Sequence, residues 1–271
     1  MDASLARQHP RGERDCRQHQ PRRRWGDAKK NEIKPWQVET YCIGQPSAQY
    51  VSKMEDVLDV YQRPYDARYP VVCFDETRKE LHGTPQGTRP ACIAEGEREA
   101  HSARQDYAYT REGSASLLLW NEPLTGGCGV SVRQQHLGVD IAELLRRLSD
   151  EIYPTAQKIV LVCDNLKTHA AHFLYERFTP EEAHRLKQRF EWHYTPEHGS
   201  WLNIAECELS VLSRQCLRRR IPDLQTLQSE VAAWEEERNA THHTVEWHFT
   251  TKDARVKLKK LYPITKYQCS P

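Results

Sequence analysis

Two short runs of apolar, β-forming residues each lead directly into an acidic residue. The first run precedes Asp75 in YPVVCFDET, and the second precedes Asp164 in KIVLVCDN, residues 158–165. Such runs are typical of buried strands. A carboxylate next to a buried strand loses its hydration, which is unfavourable unless a cation or hydrogen bonds compensate it. Open sheets bind ligands beyond the carboxyl ends of their strands. We therefore predict two buried strands that end in site acids, with a turn at Asp164-Asn165 as the alternative.

The rest of the chain alternates between strand and helix patterns. Apolar residues at helical spacing predict helices that begin at Ser47 and Asp140, and helices over 170–177, 180–189, 201–216, 223–239 and 251–260. Strands are predicted over 113–122, 127–135 and FEWHYTP. Residues 82–106 are rich in Gly, Pro and charge and predict a long loop. This order indicates an α/β or α+β domain with a mixed sheet and without internal repeats.

The composition is that of a globular protein. Of the 271 residues, 38% are hydrophobic and 28% are charged, and seven Trp and twelve Tyr can fill a core, which excludes a disordered chain. No apolar run approaches the roughly 18–20 residues that cross a bilayer, and the first residues lack the apolar segment of a signal peptide. The nine Cys form no CxxC pair, so we expect buried free thiols in a reducing cytoplasm.

The charge is unevenly distributed. Residues 1–34 hold ten Lys and Arg against five Asp and Glu, so this segment carries +5 and the remainder carries −4 of the total of +1. A basic arm on a slightly acidic body suggests a polyanionic partner. A solvated tail without a partner is the alternative.

The segment GSWLNIAECELSVLSRQC predicts a helix with an acid beside its buried stripe. The buried stripe contains Leu202, Ala205, Leu209, Leu212 and Cys216. A flanking stripe contains Asn203, Glu206, Ser210 and Ser213. Glu208 lies about 200° round the helix from Glu206, so Glu206 is the better candidate for a third site acid and replacement of Glu208 is expected to be nearly harmless. The alternative is that the flank is simply solvated.

Three carboxylates at a junction of two strands and a helix are suited to divalent metal ions. Mg²⁺ and Mn²⁺ prefer oxygen ligands of this kind. Two such ions about 3.5–4 Å apart can bind both oxygens of an in-line phosphoryl displacement, one activating water or a 3′-hydroxyl and the other stabilising the leaving oxygen. Asp75, Asp164 and Glu206 therefore form a candidate two-metal site.

Several motifs together resemble one family. CFDET, LVCDNLKTH and YTPEHGSWLNIAECELSVLSRQ, with RRIPD, AAWEEERN and FTTKDARVKLKKLYP, are similar to the DDE transposases of bacterial insertion sequences. More narrowly, they resemble the insertion-sequence (six-thirty) branch of the Tc/mariner superfamily. The resemblance runs from about Lys29 to Pro263, and HGSWLN followed by Ala205-Glu206 is its most specific part. It implies an α/β, ribonuclease-H-like (retroviral-integrase-like) mixed sheet flanked by helices.

The resemblance also implies roles for the three acids. Asp75 on the first strand, Asp164 at the end of the fourth and Glu206 on a following helix would be the catalytic residues and metal ligands. They would hold two Mg²⁺ or Mn²⁺ ions, with no small-molecule cofactor. The implied activity is cleavage of double-stranded DNA at transposon ends and transfer of the freed 3′-hydroxyl into target DNA, by a homodimer in the DNA complex. The implied location is the bacterial cytoplasm at the nucleoid, without a membrane partner. A ribonuclease-H-like nuclease and a non-catalytic DNA-binding remnant are the alternatives.

The resemblance suggests the division of the chain. We expect a basic arm over 1–34, a linker and helix over 35–66, a DDE catalytic domain over 67–265 and a tail over 266–271. Family members carry a helix-turn-helix region before the catalytic domain, and here KKNEIKPWQVETYC resembles only the end of that region. The arm is therefore expected to be disordered or a remnant. A truncated copy, a reading-frame fragment and a part joined by frameshifting to an upstream product remain open.

Further residues are candidates for DNA contact or for support of the acids. These are Asn165, His169, His198, Trp201, Asn203, Arg218 and Arg219. Each has a plainer explanation: asparagine is equally expected in a turn, a lone histidine is more often a surface or capping residue, and Trp201 can be a core anchor. The arginines, together with Arg220, can contact phosphates or simply favour the end of a helix.

Overall fold

The computed structural model describes residues 47–85, 87–89, 91, 102, 104–105, 107–135, 138–166 and 169–263. The predicted basic arm 1–34 and tail 266–271 lie outside the described residues. The same holds for residues 35–46 of the predicted linker.

A five-stranded mixed sheet is the centre of the described structure. The strands are β1 (Val71–Gly83), β2 (Thr88–Arg89), β3 (Arg104–Gln105), β4 (Thr110–Glu122), β5 (Gly127–Arg133), β6 (Ile159–Cys163) and β7 (Phe190–Tyr194). The order across the sheet is β5-β4-β1-β6-β7, and β2 and β3 form a separate two-stranded ladder. β4 is antiparallel to β1 and β5, whereas β6 is parallel to β1 and β7. The two buried strands predicted from the sequence are therefore parallel neighbours.

Helices cover both faces of this sheet. They are α1 (Ala48–Tyr61), α2 (Gly138–Arg147), α3 (Phe173–Arg177), α4 (Pro180–Arg189), α5 (Ile204–Leu212), α6 (Leu224–Ala240) and α7 (Thr251–Lys257). The N-termini of α1, α4, α5, α6 and α7 are capped by the side chains of Ser47, Thr179, Asn203, Asp223 and Thr250. No helix in the described segments is both long and apolar enough to cross a bilayer.

Alternation along β1 decides which core each residue joins. Cys73 lies in a buried cluster with residues of α1, α5 and α6. Val72 and Phe74 lie in a second cluster with residues of α2, α3 and α4. Successive strand residues point to opposite faces, so Asp75 and Glu76, which come next, face opposite sides of the sheet.

The outer edge of β5 is protected by side chains of α6. Asn239 accepts a hydrogen bond from the backbone N–H of Cys128 and donates one to its carbonyl, both at 2.9 Å. Glu235 accepts from the N–H of Val130 at 2.9 Å. These hydrogen bonds satisfy backbone groups of β5 that an exposed edge strand would leave free to pair with another chain. They also fix α6 against the sheet.

The first strand differs from its prediction in length. It continues beyond YPVVCFDET to Gly83, so Asp75 is its fifth residue and does not end it. The reason is that the pairing of β1 with β6 stops at Cys73, after which β1 pairs with β4 alone; beyond Arg78, where the pairing of β4 with β5 also ends, β1 and β4 form a two-stranded arm. A strand with one sheltered side no longer needs a continuous apolar run. The arm shortens the predicted loop 82–106, part of which forms β2 and β3.

Other elements agree with the sequence predictions in type and differ at their boundaries. The segment 201–216 is divided into a 3₁₀ turn (Ser200–Leu202), α5 and a π-helical turn (Ser213–Leu217). α2 begins at Gly138, two residues before Asp140. Of the cysteines described as free thiols, Cys207 is exposed, contrary to the expectation of burial. It lies on a helical turn beside Glu206, away from the apolar stripe of α5.

Candidate active site

Asp75 and Asp164 meet where β1 and β6 stop pairing. The parallel register joins Cys73 to Val162, and Asp164 directly follows Cys163, the last residue of β6. Asp75 is therefore at the carboxyl end of the β1–β6 pair although it lies inside β1. The apolar run predicted this acid at the wrong position in its strand but at the correct edge of the parallel pair.

Asp75 is buried and both of its carboxylate oxygens accept hydrogen bonds. Its side chain is 8% exposed. Oδ1 accepts from the backbone N–H of Glu76 at 2.8 Å, and Oδ2 accepts from Nδ2 of Asn203 at 3.2 Å. Burial raises the pKa of Asp75 to about 7; the bond from Glu76 opposes this rise, and repulsion from Glu206, Glu76 and Asp164 adds to it. This repulsion indicates that the three predicted acids share one neighbourhood.

Asp164 is held in the loop that follows β6. Its side chain is 34% exposed, and its Oδ1 forms an ion pair with Nδ1 of His169 at 2.5 Å, while the same ring nitrogen hydrogen-bonds the backbone carbonyl of Asp164 at 3.3 Å. Oδ1 also accepts from the backbone N–H of Leu166 at 3.2 Å. The bond from Leu166 is the local turn contact that the alternative interpretation of Asp164 requires. Asp164 therefore forms a turn and also joins the group of acids.

His169 lies between two carboxylates. Its side chain is 1% exposed, and its Nε2 donates to Oε2 of Glu76 at 2.7 Å while Nδ1 donates to Asp164. Because a carboxylate only accepts, both ring nitrogens carry protons. Desolvation lowers the pKa of His169, but hydrogen bonds to Asp164, Cys163 and Glu76 outweigh it and raise the pKa to about 12. His169 is thus a buried cation beside the acids.

Glu76 was not considered in the sequence analysis. Its spacing from His169 is 93 residues, and no pattern in the sequence connects the two. The one available signal was strand alternation, because an acid directly after Asp75 in a strand must face the opposite side. Only the structure identifies His169 as the partner of Glu76.

Asn203 joins α5 to β1 at Asp75. Its Oδ1 accepts from the backbone N–H of Ala205 at 3.2 Å and caps the helix. Its Nδ2 donates to the carbonyl of Phe74 at 2.9 Å as well as to Asp75. The side chain is 1% exposed, so it is a support for the acids and is not available to contact DNA directly. This bond places the first turn of α5, which contains Glu206, beside Asp75.

Glu206 and Glu208 lie on different sides of α5, as the helical period predicted. Glu206 is exposed in the first turn, where the helix dipole favours an acid. Glu208 is buried and accepts two hydrogen bonds from Arg238 of α6, at 2.5 and 2.9 Å. The structure therefore adds a cost in stability to the expectation that replacement of Glu208 is nearly harmless, because its loss would leave the largely buried Arg238 unpaired.

The chemistry of the three acids fits a divalent cation. Within the described residues, no three His, Cys, Asp or Glu side chains form a group with the geometry of a metal site. Asp75 is instead engaged by a hydrogen bond from Asn203, and Asp164 by an ion pair with His169. Carboxylate oxygens are nevertheless the ligands that Mg²⁺ and Mn²⁺ prefer, and a cation would relieve the repulsion that raises the pKa of Asp75.

The remaining predicted residues lie on the surface or are used within the protein. Asn165 is exposed. His198 is exposed at a positive φ of 60°, in the turn before the 3₁₀ segment. Arg218 is exposed, whereas Arg219 pairs with Glu230 of α6. The ion pair weakens the proposal that Arg219 contacts phosphates, because its guanidinium already binds the carboxylate of Glu230.

Trp201 combines the two roles considered for it. Its Nε1 donates to the hydroxyl of Tyr50 at 3.1 Å, and its ring stacks on Trp247 with centroids 6.5 Å apart. A second contact, edge to face, joins it to Phe249 at 5.9 Å. It is also 43% exposed. Trp201 thus anchors α1 to the segment before α7 and leaves a ring surface accessible.

The chain matches a family model described as DDE superfamily endonuclease over residues 70–228. No curated protein matches the sequence.

Solved structures of Mos1 share the fold. The Mos1 strand transfer complex matches at 13% identity and a TM-score of 0.51, over 88% of this chain and 71% of that one. The mariner Mos1 paired end complex with Mg matches at 14% identity and a TM-score of 0.51, over 88% and 72%. The mixed five-stranded sheet flanked by helices is the ribonuclease-H-like fold that was expected.

Proposed function

The chain belongs to the DDE superfamily of endonucleases, and from this premise we propose that it is a transposase of the Tc/mariner type. It cuts double-stranded DNA at transposon ends and joins the freed 3′-hydroxyl to target DNA. The observation that supports the proposal is the position of Asp75 in β1, Asp164 directly after β6 and Glu206 in the first turn of α5, together with the repulsion of Asp75 by the other two acids, which adds to burial in raising its pKa to about 7. All three acids lie within the residues that match the family.

The proposed cofactor is Mg²⁺ or Mn²⁺, two ions per site, held by Asp75, Asp164 and Glu206. Bound ions of this kind stabilise charge on phosphoryl oxygens and activate a water or hydroxyl nucleophile. The choice is supported by the oxygen-only donor set, and one of the matched Mos1 structures was solved with Mg.

The protein's own contribution is to hold three like charges close together. Asn203 ties Asp75 to the N-terminus of α5, and the positive end of the helix dipole lies in the same region. His169 supplies a positive charge beside Asp164. These contacts offset part of the repulsion and keep the carboxylates near one another before any cation arrives.

The proposed partners are the transposon ends and the target duplex, bound by a homodimer. The matched Mos1 structures are a strand transfer complex and a paired end complex, and the fold shared with them supports this assignment. We place the protein with the DNA of a bacterial host, as the product of an insertion sequence. The basic segment 1–34, with its charge of +5, supplies attraction for phosphates.

The test uses the purified full chain and a supercoiled plasmid that carries its gene with both flanking regions. In Mg²⁺ or Mn²⁺ we expect nicking at the element ends and joining of 3′-hydroxyl ends to new sites. Asp75→Asn, Asp164→Asn and Glu206→Gln should each lower the rate at least roughly a thousandfold. Glu181→Gln is the matched control, because Glu181 is also an exposed first-turn glutamate, on α4.

The outcomes separate the proposal from its alternatives. Cutting without joining would indicate a ribonuclease-H-like nuclease. Duplex binding without any cutting would indicate a non-catalytic remnant. Full activity in excess chelator, or in any of the three acid variants, would contradict the assignment of the site.

A further inference from the structure

We propose that Glu76 is a positioning residue for the reaction of the three acids. Acting through His169, it fixes the carboxylate of Asp164. The inference rests on the proposed function, because it concerns how one of the proposed metal ligands is held.

The argument begins with the alternation of β1. Asp75 faces α5, where it accepts a hydrogen bond from Asn203. Glu76 faces the opposite side of the sheet, where it accepts from His169. Two adjacent acids of one strand thus support the site from opposite faces: Asp75 contributes its own carboxylate, and Glu76 reaches Asp164 through one imidazole ring.

The ring of His169 is fixed at every available point. Nε2 is 2.7 Å from Oε2 of Glu76, and Nδ1 is 2.5 Å from Oδ1 of Asp164. The ring packs edge-on against Phe74, with centroids 4.9 Å apart, and is 1% exposed. Loss of the Glu76 carboxylate would leave a buried N–H without its acceptor, which favours a different ring orientation.

Asp164 needs such a support more than the other two acids do. Asp75 lies within a strand and Glu206 within a helix, whereas Asp164 lies in the loop after β6. The ion pair with His169 and the hydrogen bond from the N–H of Leu166 both engage Oδ1, and Nδ1 of His169 also hydrogen-bonds the backbone carbonyl of Asp164. In the part of the chain that the structure describes, Oδ2 accepts no hydrogen bond, so the contact through Glu76 and His169 selects Oδ2 as the oxygen left for a metal ion.

Removal of a residue that orients a metal ligand typically weakens metal affinity 10–100-fold. A residue that only stabilises the fold would lower the melting temperature and leave the metal affinity of the folded protein unchanged. Metal affinity therefore distinguishes positioning from packing, and it can be measured without DNA and without turnover.

The experiment is a calorimetric titration of the full chain with Mn²⁺, together with its melting temperature. For Glu76→Ala we expect Mn²⁺ affinity to fall roughly 10–100-fold. Glu76→Gln retains an oxygen that can accept the Nε2–H of His169, so its affinity should stay within about threefold of the wild type. Cleavage by Glu76→Ala should recover at high Mn²⁺ concentration, because the ligands themselves remain.

Glu80→Ala is the matched control. Glu80 lies on the same strand, four residues later, and also contacts a histidine, His82, at 3.2 Å. That pair is on the surface, with the Glu80 side chain 60% exposed. Its loss should change neither the Mn²⁺ affinity nor the melting temperature.

A second variant keeps the proposal testable if Glu76→Ala does not fold. The double variant Glu76→Met/His169→Phe replaces the charged pair with apolar groups of similar size, which a buried site tolerates better than a single unpaired charge. It should show the same loss of Mn²⁺ affinity.

The outcomes distinguish this inference from the proposed function. Wild-type Mn²⁺ affinity in Glu76→Ala or in the double variant would overturn the positioning role and leave the proposed function standing, provided that Asp164→Asn abolishes binding. Absence of Mn²⁺ binding by the wild-type chain would overturn both.

Discussion

Glu206 and Glu208 lie two residues apart on α5 and have opposite surroundings. Glu206 is exposed in the first turn and adds to the repulsion that acts on Asp75. Glu208 is buried against α6, where Arg238 donates two hydrogen bonds to it. Residue type and local sequence are nearly the same for both, so the difference comes from the helical period. One helix can therefore present an acid to the proposed site on one side and an acid that stabilises the fold on another.

The largest effect should be the loss of activity in Glu206→Gln. We expect DNA cleavage to fall at least roughly a thousandfold, because one proposed ligand is removed. The free energy of unfolding should change by less than about 0.5 kcal/mol, since the side chain is exposed. Plasmid cleavage and urea unfolding measure the two quantities. A large loss of stability would show that Glu206 stabilises the fold as Glu208 does, and would remove the contrast between the two residues.

The next effect should be the destabilisation of Glu208→Ala, by about 3 kcal/mol. The unpaired Arg238 is the cause, because its side chain is only 14% exposed. Cleavage per folded molecule should stay within about threefold of the wild type. The paired variant Glu208→Leu/Arg238→Met should recover most of the stability in urea unfolding, since it leaves no buried charge. If the double variant is as unstable as the single one, the ion pair is not the cause.

A pH-dependent effect on stability is expected for Asp75→Asn. The pKa of Asp75 is about 7 in the folded state and 3.8 in its unperturbed state, so the folded protein binds more protons between these values. Wild-type stability should therefore fall as pH rises from about 4 to 7. Without divalent ions, the variant should be more stable than the wild type by up to about 4 kcal/mol at pH 8, at about 1.4 kcal/mol per pKa unit, and by little at pH 4. Urea unfolding at several pH values with chelator measures this difference.

The pH dependence of Asp75→Asn would separate the acids of the site from Glu208. An acid of the site lowers the stability of the metal-free fold, whereas Glu208 raises it. A constant difference between Asp75→Asn and the wild type from pH 4 to pH 8 would contradict the proposed electrostatic origin.

A modest loss of stability is expected at Asn203, which belongs to both the site and the fold. Asn203→Ala should destabilise by about 1 kcal/mol through loss of the cap on α5. Asn203→Ser keeps a capping oxygen but cannot reach Asp75 in the same way, so stability should largely return while cleavage stays impaired. Thermal unfolding and plasmid cleavage of the two variants test this. Equal cleavage by Asn203→Ser and the wild type would show that the bond to Asp75 is dispensable.

Local patterns predicted much of this structure. The apolar run before Asp164 identified β6, because a strand buried on both faces must be apolar throughout. The 3.6-residue period separated Glu206 from Glu208. Asp75 was placed at the end of its strand because the apolar run stops there, although the strand continues once it has left β6.

Contacts between distant segments escaped the sequence analysis. Glu76 and His169 meet only because β1 and β6 are parallel neighbours. Arg219 was considered for phosphate contact because a charge does not identify its partner, and the structure pairs it with Glu230. The burial of Glu208 was missed for a similar reason, since Arg238 lies on another helix.

The arm formed by β1 and β4 has an evolutionary consequence. The register of the two strands shifts between Leu81 and His82, well beyond Asp75 along β1. Asp75 itself pairs with Leu119 in the regular part of the ladder. A one-residue slip at Asp75 would turn every side chain of the strand to the wrong face. A change of length beyond Leu81 is absorbed by the irregularity already present there. Descendants of a common ancestor can therefore gain or lose residues between these strands while the acid keeps its orientation, and this segment is where length is expected to diverge first.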